Sequence, residues 1–387
     1  MKIAIIVPYF ASYVRGNEYG LADGLSKLGA DVTVIASKGR ALREKMITTS
    51  SQAGEGAGYD VKYLDTPVDV GEIPFTPAVY SEVLHGDYDV LLLQEDYQPI
   101  CHMAYLAAKR RGIPTILSTE RTHFPPGYKK WVLKGFDLTL NAALRRGATV
   151  YTAHCSAARD FVQRELKVPA GRVKILHVGV EAGLFRPTPG PTPGPTPLTD
   201  GEVRLLTVAR LHPYKGLEHL IRAMGIVVKS QPGVVLYIMG RGPAGPGLKK
   251  LAGDMGLEKV VRFVETPVPN AQMPPVYTSC DAYVQPSIVE PYGIAVLEAM
   301  GCGRPVVCSR VGGMMDTVDD GVTGFLVPPA DPAALAEKIV LLAADEKRRT
   351  AMGLAARERV EKEFDWPVIA RQYADIIRSV TGDREWR

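Results

Sequence analysis

The chain reads as an α/β protein built from two doubly wound domains, and three observations predict it. Its 387 residues exceed the usual size of one domain. Short apolar runs alternate with helical stretches from end to end. A Thr, Pro and Gly tract interrupts that alternation once, near the middle, after which it resumes.

In the first half the apolar runs are Ile3 to Val7, Asp31 to Ile35, Asp89 to Leu93, Pro114 to Leu117, Thr149 to Thr152 and Val173 to Leu176. Leu21, Leu25 and Leu28 mark a helix between the first two. Nearly continuous apolar strands separated by helices indicate a parallel sheet covered on both faces. The tract from Arg186 to Pro197 repeats Thr-Pro-Gly-Pro, and so many prolines can join neither ladder nor helix, so 187–200 is expected to be an extended linker. Beyond it, Val203 to Ala209, Val234 to Met239, Val260 to Val264, Ala282 to Gln285 and Pro305 to Cys308 read as strands. Helices are expected near 216–230, 244–256, 272–279 and 293–302, with a helical end over Ala333–Ala344, Lys347–Phe364 and Pro367–Val380. The expected domains are thus 1–186 and 201–365. Ligand chemistry is expected where the carboxyl ends of the two sheets face each other across a cleft.

Composition narrows the function. Apolar residues are 46% and charged residues 23%, a globular balance, and no apolar run is long enough to span a bilayer. A net charge of +4 is too small to demand nucleic acid. Five cysteines, Cys101, Cys155, Cys280, Cys302 and Cys308, show no metal-ligand spacing and suit a reducing, cytoplasmic setting. MKIAIIVPYF is better read as a first strand than as a leader.

Three segments carry chemistry. In PSIVEPYGIAVLEAMGCGRPVV a strand ends at Gln285, a turn holds Glu290, and Gly293 opens a helix containing Glu298. Free N–H groups at such a helix start suit a phosphate or sugar oxygen. In VARLHPYKG, Arg210 follows the first strand of the second domain and Lys215 comes five residues later. Arg grips two oxygens and Lys adds a mobile charge, together fit for a pyrophosphate; an ordinary surface pair of cations is the plain alternative. In PYFASYVRGNEYG, Gly16 permits close backbone approach at a helix start, or simply makes a turn, and the segment is not GxGxxG.

Together these segments closely resemble the retaining glycosyltransferases of the GT-B fold, specifically glycosyltransferase family 4. GGMMDTVDDGVTGFLVPPAD, from Gly312 to Asp331, and TAHCSAARDFVQRELKVPAGRVKILHVGVEAGLFRP add to the likeness. The resemblance implies a hexosyltransferase whose second domain binds a nucleotide-diphosphate sugar. Glu298 would hold ribose hydroxyls, and Arg210 and Lys215 would neutralise the diphosphate. Glu290 with the backbone of Tyr292, Gly293 and Ile294 would position the sugar, Val264 would lie near the base, and Gly16 would meet the diphosphate from the first domain. It also implies that the last helix, about 366–387, crosses back onto the first domain. A nucleotide-sugar 2-epimerase and a non-catalytic nucleotide-sugar binder share the fold; the Glu290…Glu298 spacing disfavours the first, and the four intact charged residues disfavour the second.

The chain also departs from the family. Many relatives carry a histidine directly after the strand that here ends in Leu117-Ser-Thr, where this chain has Glu120, with His123 three residues on. Either is a candidate to touch donor sugar or acceptor, with Glu120 favoured by position. Asp87-Tyr-Asp89 has metal-binding spacing but precedes its strand, so no catalytic metal is expected. Finally, residues 109–146 hold nine cations (Lys109, Arg110, Arg111, Arg121, Lys129, Lys130, Lys134, Arg145, Arg146) against Glu120 and Asp137, with Trp131, Val132, Leu133, Phe136, Leu138 and Leu140 between them. This suggests an anionic or lipid-linked acceptor, or peripheral contact with the inner face of a membrane. The plain alternative is a helix whose apolar side covers the sheet while its cations stay in water.

Overall fold

The computed structural model describes residues 1–10, 17–38, 58–70, 73–125, 127–188, 198 and 202–382. Gly16 and most of the Thr-Pro-Gly-Pro tract lie outside the described residues. Two compact units emerge, Met1–Gly179 with Trp366–Arg387, and Val180–Asp365. The chain thus leaves the first unit several residues before the proline tract and returns to it at Trp366.

In unit 1 the strands are β1 (Lys2–Val7), β2 (Asp31–Lys38), β3 (Asp60–Asp65), a small hairpin β4 (Val68–Val70) and β5 (Ile73–Phe75), β6 (Val90–Gln94), β7 (Thr115–Thr119), β8 (Val150–Ala153) and β9 (Val173–Ile175). Seven of them form one parallel sheet in the order β3-β2-β1-β6-β7-β8-β9. Its central strands are buried along their whole length, as continuous apolar runs require. The helices are α1 (Asn17–Lys27), α2 (Ala78–His85), α3 (Pro99–Arg111), α4 (Tyr128–Leu138), α5 (Leu140–Gly147), α6 (Ser156–Arg164) and, after unit 2, the returning Trp366–Thr381. That last helix buries Trp366, Ile369, Ala370, Tyr373 and Ile377, a 3.6-residue stripe, and packs on α1.

Unit 2 holds β10 (Val203–Val208), β11 (Val234–Met239), β12 (Val261–Val264), β13 (Ala282–Gln285), β14 (Val306–Ser309) and β15 (Gly324–Val327), parallel in the order β12-β11-β10-β13-β14-β15. Its helices are α7 (Leu217–Ser230), α8 (Gly245–Asp254), α9 (Pro274–Ser279), α10 (Ile294–Gly301), α11 (Met314–Thr317), α12 (Pro332–Ala344) and α13 (Glu346–Arg359), so the returning helix is α14. Leu217, Leu220, Ile221, Met224 and Val227 of α7 are buried in the core of this sheet; each such side chain contributes about 1.5–3 kcal/mol. Asp331 starts α12 by accepting the Ala333 and Ala334 N–H groups at 3.0 and 2.9 Å, with Pro332 in the first turn.

Four strands escape sequence patterning. β3 is an edge strand with alternating exposure and polar residues at Asp60, Lys62 and Asp65. The β4–β5 hairpin has only three residues per strand, and β15 has four, followed closely by Pro328 and Pro329.

Candidate active site

The unit 2 sheet changes winding direction between β10 and β13, the place where open α/β sheets bind ligands. Arg210, Lys215 and Glu290 all come from loops leaving these two strands. The Tyr214 carbonyl joins the loops by accepting the Ile288 and Val289 N–H groups at 2.9 and 3.2 Å. Two glycines make the approach possible. Gly216 and Gly312 have φ of 64° and 54°, and a Cβ on them would strike the carbonyl oxygens of Pro286 and Glu290 respectively.

One carboxylate oxygen collects the polar groups. Glu290 Oε2 accepts from Lys215 Nζ at 2.6 Å, Ser287 Oγ at 2.9 Å and Gln285 Nε2 at 3.2 Å. The Tyr283 hydroxyl, 2.7 Å from Gln285 Oε1, fixes which end of that amide faces Glu290. Gln285, Ser287 and Glu290 are all buried. No described residue donates to Glu290 Oε1, so the carboxylate is held through one oxygen alone. The Arg210 guanidinium is exposed and bonds to no described residue.

Gly293, with φ of 92°, precedes α10 and offers no side chain to cap the first turn, and no described side chain is seen to bond there. Glu290 therefore does not serve as a cap; it pairs with Lys215. Further along α10, Glu298 is buried, with Asn270 Nδ2 on Oε1 at 2.9 Å and the Tyr277 hydroxyl on Oε2 at 2.6 Å. Burial pushes this carboxyl up, against the pull of those two donors. Tyr292 is buried, and Val264 closes β12, where its carbonyl accepts the Gly240 N–H at 2.9 Å.

At the carboxyl edge of the unit 1 sheet, Glu120 directly follows β7 and is exposed; His123 is exposed on the same loop. Desolvation and the Arg121 charge lower the His123 pKa. Sequence reasoning missed Glu95. It follows β6 at φ 79°, an uncommon conformation for a residue with a side chain. Its two oxygens accept the Glu120 N–H at 2.8 Å and the Thr119 hydroxyl at 3.1 Å. Burial, then the charges of Glu120 and Asp96, push its carboxyl well up. Also missed was His154 after β8. Burial lowers it to about 4, and it lies 3.1 Å from the Leu176 carbonyl through Nδ1 and 3.4 Å from Asn17 Nδ2 through Nε2. Positive φ and depth leave no mark in a sequence; a polar pair such as Gln285 and Ser287 at the end of an apolar strand does.

Two expectations need correction. Arg121 and Arg145 are not part of a basic surface. They are buried in ion pairs, Arg121 with Asp96 (3.2 Å) and Asp137 (2.8 Å), Arg145 with the same two at 2.8 and 2.9 Å. Nor does α4 lay an apolar side on the sheet, since Asp137 is its only buried residue. Asp87 and Asp89 lie at the amino edge, where Lys2 engages them through Nζ at 2.7 Å and its N–H at 2.8 Å.

The class of protein follows from comparison of this architecture. HepE of Anabaena, solved with UDP, superposes with a TM-score of 0.77 at 22% identity over 98% of this chain and all of that one. Sucrose-phosphate synthase of Thermosynechococcus elongatus gives 0.76 at 20%, over 99% and 100%. The fold is that of the GT-B glycosyltransferases.

Sequence comparison narrows this to a family. Residues 19–184 match Glycosyltransferase Family 4 and 193–359 match Glycosyl transferases group 1. A D-inositol 3-phosphate glycosyltransferase of Kineococcus radiotolerans is 34% identical, across 79% of this chain and 75% of the relative. The namesake of Streptomyces avermitilis is 32% identical across 75% of this chain, which spans only 65% of that relative's length. The chain belongs to glycosyltransferase family 4 and is a glycosyltransferase.

Proposed function

We propose that the protein is a retaining, metal-independent transferase that moves a sugar from a nucleoside diphosphate donor to an acceptor hydroxyl. The observation that carries this reading is the half-used charge cluster of unit 2: Glu290 anchored through Oε2 alone, Lys215 beside it, and the Arg210 guanidinium unengaged by any described residue. In this reading Arg210 and Lys215 meet the diphosphate, the α10 N–H groups after Gly293 meet its oxygens or the sugar, and Glu290 Oε1 accepts a sugar hydroxyl. Glu298 exchanges an internal donor for a ribose hydroxyl. HepE bound to UDP-glucose supports a uridine donor.

As the bond from the anomeric carbon to phosphate breaks, its electron pair goes to the phosphate oxygen, where fixed cations and N–H groups stabilise the growing charge. The acceptor oxygen forms its bond on the face the nucleotide leaves, and its proton passes to that phosphate oxygen, so no separate side-chain base is required. Glu120, steadied by Glu95, and His123 are assigned to substrate contacts of unit 1. The relatives named for D-inositol 3-phosphate make a phosphorylated polyol the first acceptor to try, alongside lipid-linked hydroxyls.

The test is release of free nucleotide from a panel of nucleoside diphosphate sugars, with and without inositol phosphate and with and without EDTA. Acceptor-dependent release that survives EDTA is expected, with the anomeric configuration of the product unchanged. Loss of activity in EDTA would remove metal independence, and no release from any donor would remove the transferase reading.

A further inference from the structure

Helix α4 is built inside out for a globular domain. Tyr128, Trp131, Val132, Phe136 and Leu138 are 75%, 71%, 53%, 48% and 81% exposed. At 3.6 residues per turn, the first four of these with Gly135 share one side of the helix, about opposite Asp137. Asp137 is the one buried residue of α4 and is fastened by the Arg121 and Arg145 ion pairs. The helix is therefore held by its polar side and turns its aromatic side outward. Leu140, which opens α5, is also exposed, at 57%.

The exposed charges of α4 and α5 have one sign. Lys129 and Lys130 are exposed, Lys134 lies 5.6 Å from the Trp131 ring centroid, and Arg146 is exposed on α5. Asp137 is the only acid from 121 to 146, and it is internal and paired. A second copy of the chain meeting this face about a twofold axis would set lysines against lysines. Exposed aromatic tips flanked on either side by Lys129 and Lys134 fit an anionic lipid headgroup layer, with rings in the acyl boundary and ammonium groups among phosphates.

We infer that α4 docks the protein on the surface of an anionic phospholipid membrane, which deepens the acceptor side of the proposed function and rests on it only for its purpose. The experiment is co-sedimentation of the full chain with phosphatidylcholine vesicles, with and without about 30% phosphatidylglycerol. Binding to the anionic vesicles about ten-fold or more above the neutral ones is expected, weakening with salt. Trp131→Ser with Leu138→Ser, and separately Lys129→Gln with Lys130→Gln and Lys134→Gln, should each lower it about ten-fold. Equal or absent binding to both vesicles, or variants that bind like the parent, would overturn the inference. So would a dimer in solution that Trp131→Ser dissociates. Nucleotide release from a soluble donor is measured beside it. Release without vesicle binding refutes docking alone; vesicle binding without release refutes the transferase reading and leaves docking standing.

Discussion

Each unit of this protein holds a cluster of opposite charges near a sheet edge, and the two are finished differently. In unit 1, Arg121 and Arg145 share Asp96 and Asp137, Tyr151 and Asn141 add bonds at 3.2 and 2.9 Å, and all six residues are buried. Two cations meet two anions with nothing left over. In unit 2, Lys215 and Glu290 pair, yet one carboxylate oxygen and the whole Arg210 side chain have no described partner. A closed network is a structural joint, here the one that fastens α4. A network missing partners has polar atoms free to meet a ligand, which is the reading proposed for unit 2. Arginine count cannot tell the two apart; burial and pairing can.

The contrast can be broken from the unit 1 side first. Asp137→Ala leaves two buried guanidinium groups short of an anion, and should lower unfolding stability by about 3–5 kcal/mol. Chemical denaturation reads this directly, and a loss well under that range would mean the network relaxes to water. Lys215→Ala and Glu290→Ala act in the opposite sense: turnover should fall ~10²-fold or more through lost transition-state stabilisation. Near-parental rates in both would end the assignment of unit 2.

Acid should act on unit 1 as well. Burial alone would raise the Asp137 carboxyl, but Arg121, Asn141 and Arg145 outweigh it and hold it below the usual range. A depressed folded-state value means its contribution is complete above the ordinary carboxylate pKa of about 3.9 and drains away as pH falls through the folded value. Stability measured from neutral to acid pH should drop more steeply in the parent than in Asp137→Asn, and parallel curves would contradict the pairing.

Much of this was legible in the sequence, for physical reasons. Central parallel strands are buried on both faces, so Ile3–Val7 or Val234–Met239 announce themselves as unbroken apolar runs; the half-exposed edge strand Asp60–Asp65 does not. Glu290, Arg210 and Lys215 stood out because a polar residue at the end of an apolar strand lies at the sheet's carboxyl edge. Their mutual pairing was not legible, since 75 residues separate Lys215 from Glu290. The positive charge of residues 109–146 is divided by depth, which a sequence does not display: Arg121 and Arg145 lie inward in ion pairs, while the lysines of α4 lie toward solvent. The outward-facing aromatic side of α4 was likewise hidden, because an amphipathic pattern says that a helix has two faces and not which one meets the core.

Calorimetric titration of UDP into the parent and into Arg210→Ala tests the central claim most directly. The Arg210 side chain is exposed and bonds no described residue, so its removal should leave thermal stability within about 0.5 kcal/mol, while UDP affinity falls about ten-fold or more through loss of a charge-assisted contact. Unchanged UDP affinity in Arg210→Ala, with the parent binding well, would contradict the claim that the unfinished cluster of unit 2 is the diphosphate site.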